Sequence, residues 1–410
     1  MNKQNQSVLN LAVIVASLGY FVDMYDLLLF TIVKRPSLLA VGSTDSSILS
    51  DSIRVMNWQM IGLLIGGIVW GVLGDKKGRL NILFGSIILY SLANFATAYI
   101  QTVDHYVVCR FLAGIGLAGE LGAGVTLVSE LMPKDKRGIG TSIVAGFGIT
   151  GVIAAYYTFQ FTQDWRLCYL AGGALGILLL LMRISLVESG MFKQIKSQNV
   201  SRGNFLMFFT DRKRFKKYFT AILLGLPTWC VVGILITQSD RFAKAMFGST
   251  DFDSGRAVMI AYAGIALGDF VAGFVCQYFH SRKKGLLLYY FLCSVCIFLF
   301  FSGFNNSNAS MSVVCALLGF SSGFWIIFIT MGAEQFGTNL RATATTTIPN
   351  MVRGALPLIN MMFLNLFQRG LGLNIIKSGI YTTSVVLFIT LLALYYTEET
   401  YHKDLNYVEL

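Results

Sequence analysis

Ionisable side chains stand inside long apolar stretches of this chain, where a buried charge is energetically costly. They are Asp23, Asp26, Arg110, Glu120, Asp269 and Arg353. A carboxylate in apolar surroundings holds its proton at a higher pH than in water, so it can take up and release a proton near neutrality. A buried arginine remains charged and can bind a carboxylate or phosphate group through two parallel hydrogen bonds. These residue types in this setting predict proton transfer and anion binding.

The first apolar stretch carries two of these acids. Asp23 and Asp26 are three residues apart, so they share one face of a helix, and Tyr20 lies on the same stripe. Each acid is either a proton carrier or a polar contact, including an ion pair, with another helix. Glu120 lies well inside a later apolar stretch, which favours a role with a proton or a substrate. Because the three histidines are expected in loops, these three carboxylates are the predicted proton-coupling residues.

The arginines in apolar stretches each require a counter-ion or a ligand. Arg110 either orients a proton relay or pairs with a structural acid. Arg353 shares a helical stripe with Asn350, and it either binds an anion or forms an ion pair with Asp269 or with an acid of the first stretch. Trp229 is also explained by helix packing alone. The predicted substrate-binding residues are Arg353, Asn350, Tyr20, Trp229, Gln238, Arg110 and Asp269.

The composition of the chain describes the elements that must hold these residues. Of the 410 residues, 55% are hydrophobic and 13% are charged, and the mean hydropathy is +0.64. A soluble protein of this size is rarely so apolar. Apolar stretches of about 20 residues, each able to cross roughly 30 Å of hydrocarbon as a helix, recur along the whole chain. We count twelve such stretches, which predicts an all-α membrane protein with twelve transmembrane helices.

The distribution of charge predicts the orientation and the division of the chain. The formal net charge is +11, but the lysines and arginines are spread over alternate loops, which argues against a nucleic-acid partner. The positive-inside rule then puts both termini and one long basic loop on the cytoplasmic side of a bacterial inner membrane. This loop divides the chain into 1–187, a linker at 188–217 and 218–410. No grouping of residues predicts a metal site or the nucleophile and base of an enzyme.

A short loop between the second and third apolar stretches reads Gly71-Val-Leu-Gly-Asp-Lys-Lys-Gly-Arg79. It resembles the signature loop G-x-x-x-D-[RK]-x-G-R of the major facilitator superfamily, with matches at Gly71, Asp75, Gly78 and Arg79. The resemblance implies two pseudo-symmetric six-helix bundles with a substrate site between them. It also implies that the acid and the base of this loop help to close the cytoplasmic side.

A second motif occurs twice in the chain. The segment from Glu130 to Arg137 resembles the E-x-x-P-x-x-x-R-G motif of sugar porters and organic-acid symporters, and its spacing recurs from Glu334 to Arg341. The repeat agrees with two related halves. The resemblance implies that these four residues join the loop at Asp75 in a gating cluster that forms in one conformation.

The buried charged residues resemble those of the metabolite:proton and sialate:proton symporters. Glu120 follows glycine as in their G-G-E motif, with Ala118 in place of the first glycine, and Asn350-x-x-Arg353 resembles their N-x-x-R. The resemblance implies alternating access by a monomer that carries an organic anion with protons and uses the proton gradient instead of a cofactor. A proton-linked exporter of drugs or siderophores and an uncoupled sugar or polyol facilitator stay open as alternatives. The helix 5 motif of drug antiporters is missing, which counts against export.

Overall fold

The computed structural model describes residues 11–77, 79–120, 122, 137–183, 204–337 and 339–401. All regular secondary structure in these ranges is helical. Two members of the predicted gating set, Gly78 and Glu130, lie outside the described residues. For three others, Asp75, Arg79 and Arg137, the structure describes the backbone and not the side chain.

The helices fall into two sets, one before and one after residues 184–203. The N-terminal set consists of α1 (Leu11–Ala40), α2 (Ile48–Lys77), α3 (Arg79–Thr97), α4 (Val103–Leu117), α5 (Arg137–Ile149), α6 (Gly151–Thr162) and α7 (Trp165–Arg183). The C-terminal set consists of α8 (Met207–Thr210), α9 (Arg212–Cys230), a π-helix (Val231–Ile236), α10 (Ser239–Phe247), α11 (Ser254–Phe279), α12 (Arg282–Phe301), α13 (Asn308–Ser321), α14 (Trp325–Glu334), α15 (Arg341–Gly354), α16 (Leu356–Met361), a second π-helix (Met362–Gly370) and α17 (Ile375–Tyr396).

Nine helical segments of the described residues are long and apolar enough to cross a bilayer. They are α1, α2, α5 with α6, α7, α9 with the first π-helix, α11, α12, α13 with α14, and α17. The helices α3, α4 and α15 with its continuation occupy the places predicted for the third, fourth and eleventh spans. The order is consistent with the twelve predicted spans, and the chain is a multi-pass membrane protein.

Connections between successive spans alternate between two ends of the bundle. The Lys34 end carries the connections at 41–47, 98–102, 163–164, 248–253, 302–307 and 371–374. The Glu334 end carries, among the described residues, the connections at 280–281 and 335–337 and the segment 397–401, which follows the last described helix. Residues near the middle of a span are therefore far from both ends.

Glycines allow two pairs of helices to touch through their backbones. A Cβ atom on Gly62 of α2 would collide with the main chain of Phe111 in α4. In the C-terminal set, a Cβ atom on Gly264 of α11 would collide with the main chain of Ala316 in α13. These are the second and fourth spans of each set, so the close contact repeats with the six-span period. Small residues at such contacts are typical of helix packing in lipid.

The two sets meet along two seams. In one seam α2 packs against α15, and in the other α11 packs against α5 and α6. The first seam contains side-chain amides: Asn350 Nδ2 donates to the carbonyl oxygen of Ala118 at 2.9 Å, and Asn360 Nδ2 donates to Asn57 Oδ1 at 2.9 Å. Hydrogen bonds of this kind fix the register of two helices where no water competes.

Candidate functional site

The first of two buried charged centres joins α1 to α4. Arg110 Nη1 donates to Asp26 Oδ1 at 2.9 Å, and neither side chain is exposed to solvent. Nη2 of the same guanidinium donates to Asn94 Oδ1 and, at 3.2 Å, to Thr97 Oγ1, both in α3. The ring centroid of Tyr169 in α7 lies 4.6 Å from Arg110 Cζ, within the range of a cation–π interaction. Side chains from three other helices contact the guanidinium, and Asp26 is the counter-ion that the sequence requires for Arg110.

This ion pair uses only one oxygen of Asp26. The second oxygen, Oδ2, is buried and accepts no hydrogen bond from the described residues. A charged oxygen in that position lacks the donors that buried polar atoms normally have. A proton on Oδ2 would neutralise the carboxyl group while Oδ1 still accepts from Arg110. The geometry therefore leaves one oxygen of Asp26 without a donor among the described residues.

The second charged centre lies in the last turn of α15, near the middle of the span that continues through α16 and the second π-helix. Arg353 is 1% exposed, and its Nη1 donates to Asn350 Oδ1 at 3.1 Å. Its Cζ lies 5.5 Å from the ring centroid of Trp325 and 6.0 Å from that of Trp229. Nη1 is thus oriented by an amide, while Nε is buried and donates no hydrogen bond within the described ranges. This guanidinium has aromatic neighbours and, in the described part of the chain, no carboxylate partner.

Asp269 does not supply that partner. Its Oδ1 accepts the backbone N–H of Ile326 in the first turn of α14 at 3.1 Å, and the residue is 2% exposed. No ion pair between Asp269 and Arg353 occurs among the residues that the structure describes, so this alternative from the sequence is wrong. The physical reason is that the first turn of a helix presents unused N–H groups and a positive dipole end, which satisfy a carboxylate.

Several predicted residues lie in the same buried region as Tyr20. The hydroxyl group of this tyrosine lies within electrostatic range of Arg353, Asp23 and Asp269. All four residues are buried, and so is Trp229. They come from α1, α9, α11 and α15, which belong to both sets. The structure therefore brings this part of the predicted substrate-binding residues together near the middle of the bundle.

Glu120 follows α4, closer to the Glu334 end. It is 2% exposed, and Ser86 Oγ from α3 donates to its Oε1 at 3.0 Å. Two residues earlier, the carbonyl oxygen of Ala118 accepts the amide N–H of Asn350, whose own oxygen accepts from Arg353. Asn350 therefore connects the segment that carries Glu120 to the guanidinium of Arg353. The sequence predicted both residues but not this bridge.

A contact between the sets at the Lys34 end was missed by the sequence reasoning. Lys34 Nζ donates to the carbonyl oxygen of Thr237 at 2.7 Å and to Asp240 Oδ1 at 3.4 Å, and the lysine side chain is 9% exposed. Thr237 directly follows the π-helix Val231–Ile236, a rare geometry that often marks functional segments. Gln238, predicted to bind substrate, is the next residue and is buried at this contact. A lysine near the end of the first apolar stretch was the available signal.

Glu334 joins three segments at the opposite end. Its Oε1 accepts from Arg282 Nη2 at 3.2 Å, and its Oε2 accepts from Thr400 Oγ1 at 2.6 Å. Arg341, predicted to act with Glu334, donates to the carbonyl oxygen of Phe336 at 3.4 Å. Glu334 therefore takes part in a charged cluster in which its cation is Arg282, the first residue of α12, and the gating role of Glu334 and Arg341 stays a prediction.

Gly71 lies where α2 meets α15 near the same end. Its carbonyl oxygen accepts from Thr343 Oγ1 at 3.4 Å, and a Cβ atom would press on the Thr347 side chain at 3.3 Å. The glycine therefore permits the close approach of the two sets at this end. This placement agrees with the expected gating position, although the gating role stays a prediction.

Glu399 caps the helix that Arg282 begins. Its carboxylate accepts the backbone N–H groups of Arg282 at 2.9 Å and Lys283 at 3.2 Å, and also the hydroxyl of Ser281. Partial burial raises the pKa of Glu399, but these hydrogen bonds favour the charged form more strongly and hold the pKa below its ordinary value. Glu399 therefore remains a charged cap of α12 at the Glu334 end.

Together the two centres present the kinds of group that anion binding and proton exchange would need. One offers a carboxyl group with an open oxygen, and the other offers a guanidinium with an unused edge. The described residues contain no group of three or more His, Cys, Asp and Glu side chains placed to hold a metal ion. The first centre lies within the N-terminal set, and the second lies where the two sets meet.

Comparison with known proteins adds the family. A profile of the Major Facilitator Superfamily matches residues 11–359. The chain belongs to the major facilitator superfamily. As a member of the major facilitator superfamily it is a membrane transporter and not an enzyme.

Relatives of this major facilitator protein are similar over most of their length. A putative metabolite transport protein of Haemophilus influenzae is 27% identical over 359 residues, which cover 83% of this chain and 85% of the relative. The sialic acid transporter NanX of Escherichia coli is 26% identical over 349 residues, which cover 82% of each chain. The solved structure of the proton:xylose symporter XylE bound to 6-bromo-6-deoxy-D-glucose has a TM-score of 0.75 at 16% identity, covering 96% of this chain and 97% of that one. The last comparison shows the shared fold.

Proposed function

We propose that this major facilitator protein carries a small organic carboxylate together with protons across the membrane by alternating access. The observation that carries the proposal is Arg353, a buried guanidinium at the middle of the bundle without an ion-pair partner among the described residues. A buried charge is stable only when it is paired or bound to a ligand. An arriving carboxylate would supply the partner. The similarity to a transporter of sialic acid, which is a carboxylic acid, supports this substrate class.

The guanidinium geometry favours a carboxylate over a neutral ligand. Nη1 is already engaged by Asn350, while the buried Nε has no acceptor within the described ranges. The edge formed by Nε and Nη2 matches the two oxygens of a carboxylate, which can accept two parallel hydrogen bonds. Trp229 and Trp325 beside this group provide flat apolar surface for the rest of a small metabolite.

Asp26 is the proposed first acceptor of the coupled proton, with Asp23 and Glu120 as further carriers. When Oδ2 of Asp26 takes a proton, the ion pair with Arg110 becomes a weaker hydrogen bond between a cation and a neutral group. The contact between α1 and α4 within the N-terminal set is then weaker. Since α1 also carries Tyr20 towards Arg353, protonation and substrate binding act on the same helix.

Contacts at the two ends supply the gates for alternating access. Lys34 joins the sets through Thr237 at one end, and Gly71 joins them through Thr343 at the other. Opening one end while the other stays closed exposes a midplane site to one side at a time. We propose that the Glu334 end faces the cytoplasm of a bacterial inner membrane, with both termini on that side. The proton gradient serves in place of a cofactor, and a monomer suffices.

Transport by the purified protein in proteoliposomes tests the proposal. A thermal-shift screen of carboxylates, sugars, amino acids and phosphate at two pH values would first identify a ligand. We expect carboxylates alone to stabilise the protein, and accumulation of the ligand to require an inward proton gradient and to stop on addition of a protonophore. Stabilisation by a sugar with equilibration independent of pH would instead show an uncoupled facilitator and overturn the proposal.

A further inference from the structure

An apolar crevice opens on the side of the bundle at the seam between α6 and α11. It has a volume of about 480 Å³ and is closed on its inner side by α13. Its lining is apolar apart from one tyrosine hydroxyl and includes Ile153, Met259, Ala263, Leu267, Leu317 and Phe320. The side chains of Leu267 and Leu317 are exposed, so the crevice faces the hydrocarbon region and not the central charged residues.

The crevice continues into a polar mouth at the Lys34 end. A second cavity of about 480 Å³ shares Tyr157, Met259 and Ile260 with the first and adds Gln160 and Arg256. Phe161 lines the mouth and is 84% exposed. Aromatic residues with a cation at the end of membrane-spanning helices are typical of the level of lipid headgroups. The two cavities together have a polar head and an apolar tail.

The length of this surface matches one leaflet of a bilayer. The α11 residues that line it run from Arg256 to Leu267, which is roughly 16 Å at 1.5 Å per residue. This is about half of the roughly 30 Å thickness of the hydrocarbon core. An acyl chain whose headgroup sits at Arg256 would therefore lie along the crevice and end near Leu267.

Charge complementarity selects an acidic headgroup. Arg256 is exposed and forms no ion pair within the described ranges. The nearby carboxylate of Asp253 instead accepts the backbone N–H of Gly255 at 2.8 Å and the hydroxyl of Tyr156 at 3.4 Å. A free guanidinium binds a phosphate group well, because its N–H groups match two phosphate oxygens.

We propose that this seam crevice is a binding site for an anionic phospholipid of the leaflet at the Lys34 end. Its phosphate binds Arg256 and one acyl chain fills the crevice down to Leu267. The lipid touches α6 of the N-terminal set and α11 of the C-terminal set at once. It therefore binds best to the arrangement of the two sets in which the crevice has this width. It stabilises that arrangement, relative to another, by the difference between its binding free energies for the two arrangements.

Thermal shifts of the detergent-purified protein with added lipid test the proposal. Phosphatidylglycerol is expected to raise the melting temperature more than phosphatidylcholine of the same acyl chains. Arg256→Gln should remove this difference. The matched control is Lys244→Gln, which removes one exposed positive charge at the same end and should keep it.

Two further measurements distinguish binding of the lipid headgroup from binding of the acyl chain. Ala263→Phe fills the crevice and should weaken phosphatidylglycerol binding several-fold, whereas Val271→Phe, on the same helix outside the crevice, should not. Glycerol phosphate alone should give no shift, because the acyl chain is missing. The proposal is overturned if Arg256→Gln and Lys244→Gln behave alike, or if Ala263→Phe leaves the lipid effect unchanged.

Discussion

Arg110 and Arg353 are both fully buried arginines, yet their surroundings differ. Arg110 has a carboxylate at 2.9 Å, two further side-chain acceptors and a tyrosine ring. Arg353 has one amide oxygen and two indole rings. The Nε atoms of both guanidinium groups are buried and donate no hydrogen bond within the described ranges, but Asp26 balances the charge of Arg110, and no carboxylate of the described residues pairs with Arg353. The difference teaches that a buried charge can be recognised as a ligand site by the absence of a counter-ion among its neighbours.

The largest expected effect is that of breaking the satisfied pair. Asp26→Asn leaves Arg110 buried without a counter-ion, which typically costs about 3–5 kcal/mol of unfolding free energy. We expect a lower melting temperature and complete loss of gradient-driven accumulation in proteoliposomes. The control is the double variant Asp26→Asn with Arg110→Gln, which removes both charges and should be more stable than the single variant. Additive losses of stability in the double variant would show that the two groups are not coupled.

A smaller loss, confined to binding, is expected at the second arginine. Arg353→Gln removes the proposed carboxylate contact, and a hydrogen bond to a charged group is worth about 1.5–3 kcal/mol, so Kd should rise roughly 10- to 100-fold. Because no ion pair within the described residues is broken, the melting temperature without ligand should not fall. Arg369→Gln, an exposed position further along the same span, serves as the control and should bind normally. A drop in stability like that of Asp26→Asn would mean that Arg353 is also a structural charge.

Lys34 is a third buried cation and lies between these two cases. Its contacts with Thr237 and Asp240 join the helix sets. Lys34→Met should open the Lys34 end more often, so a cysteine placed by Gln238→Cys should react several-fold faster with a maleimide. The control is Arg35→Met, which removes an exposed ion pair with Asp45 worth about 0–1 kcal/mol. Equal labelling in the two backgrounds would argue against a gate at this position.

The smallest effect concerns Glu399, an accessible carboxylate with several donors. Its pKa in the folded protein lies below the ordinary value, so its stabilising contribution is complete above the unfolded pKa and is lost as the pH falls through the folded pKa. Glu399→Gln should therefore lower the melting temperature slightly near neutrality and not at acid pH. Glu398→Gln next to it is the control. This measurement separates acid effects at the Glu334 end from protonation of Asp26.

Local sequence predicts much of this architecture. Apolar stretches of spanning length predict the helices, and the loop motif that begins at Gly71 indicates the family, whereas its gating role stays a prediction. The need of Arg110 for a counter-ion also follows from its setting, since a charge in apolar surroundings requires one. These inferences depend on a residue and its immediate neighbours in the chain.

The identity of partners on other helices could not be predicted in the same way. Asp269 was expected near Arg353 because both are buried and opposite in charge, but backbone N–H groups of α14 bind it instead. Glu334 pairs with Arg282, a residue that the repeated motif does not include. Which side chains meet depends on helix rotation and crossing, and these are set by packing over the whole bundle.

The π-helix at Val231–Ile236 gives one span one more residue in this turn than α-helical winding would have. If that segment returned to α-helical winding, the chain beyond it would turn by about 100°, the angle that one residue spans in an α-helix. Thr237 would then swing away from Lys34, while Trp229, on the near side of the segment, would keep its place beside Arg353. A change of winding within one span could in this way break the contact between the helix sets at the Lys34 end and leave the surroundings of Arg353 unchanged.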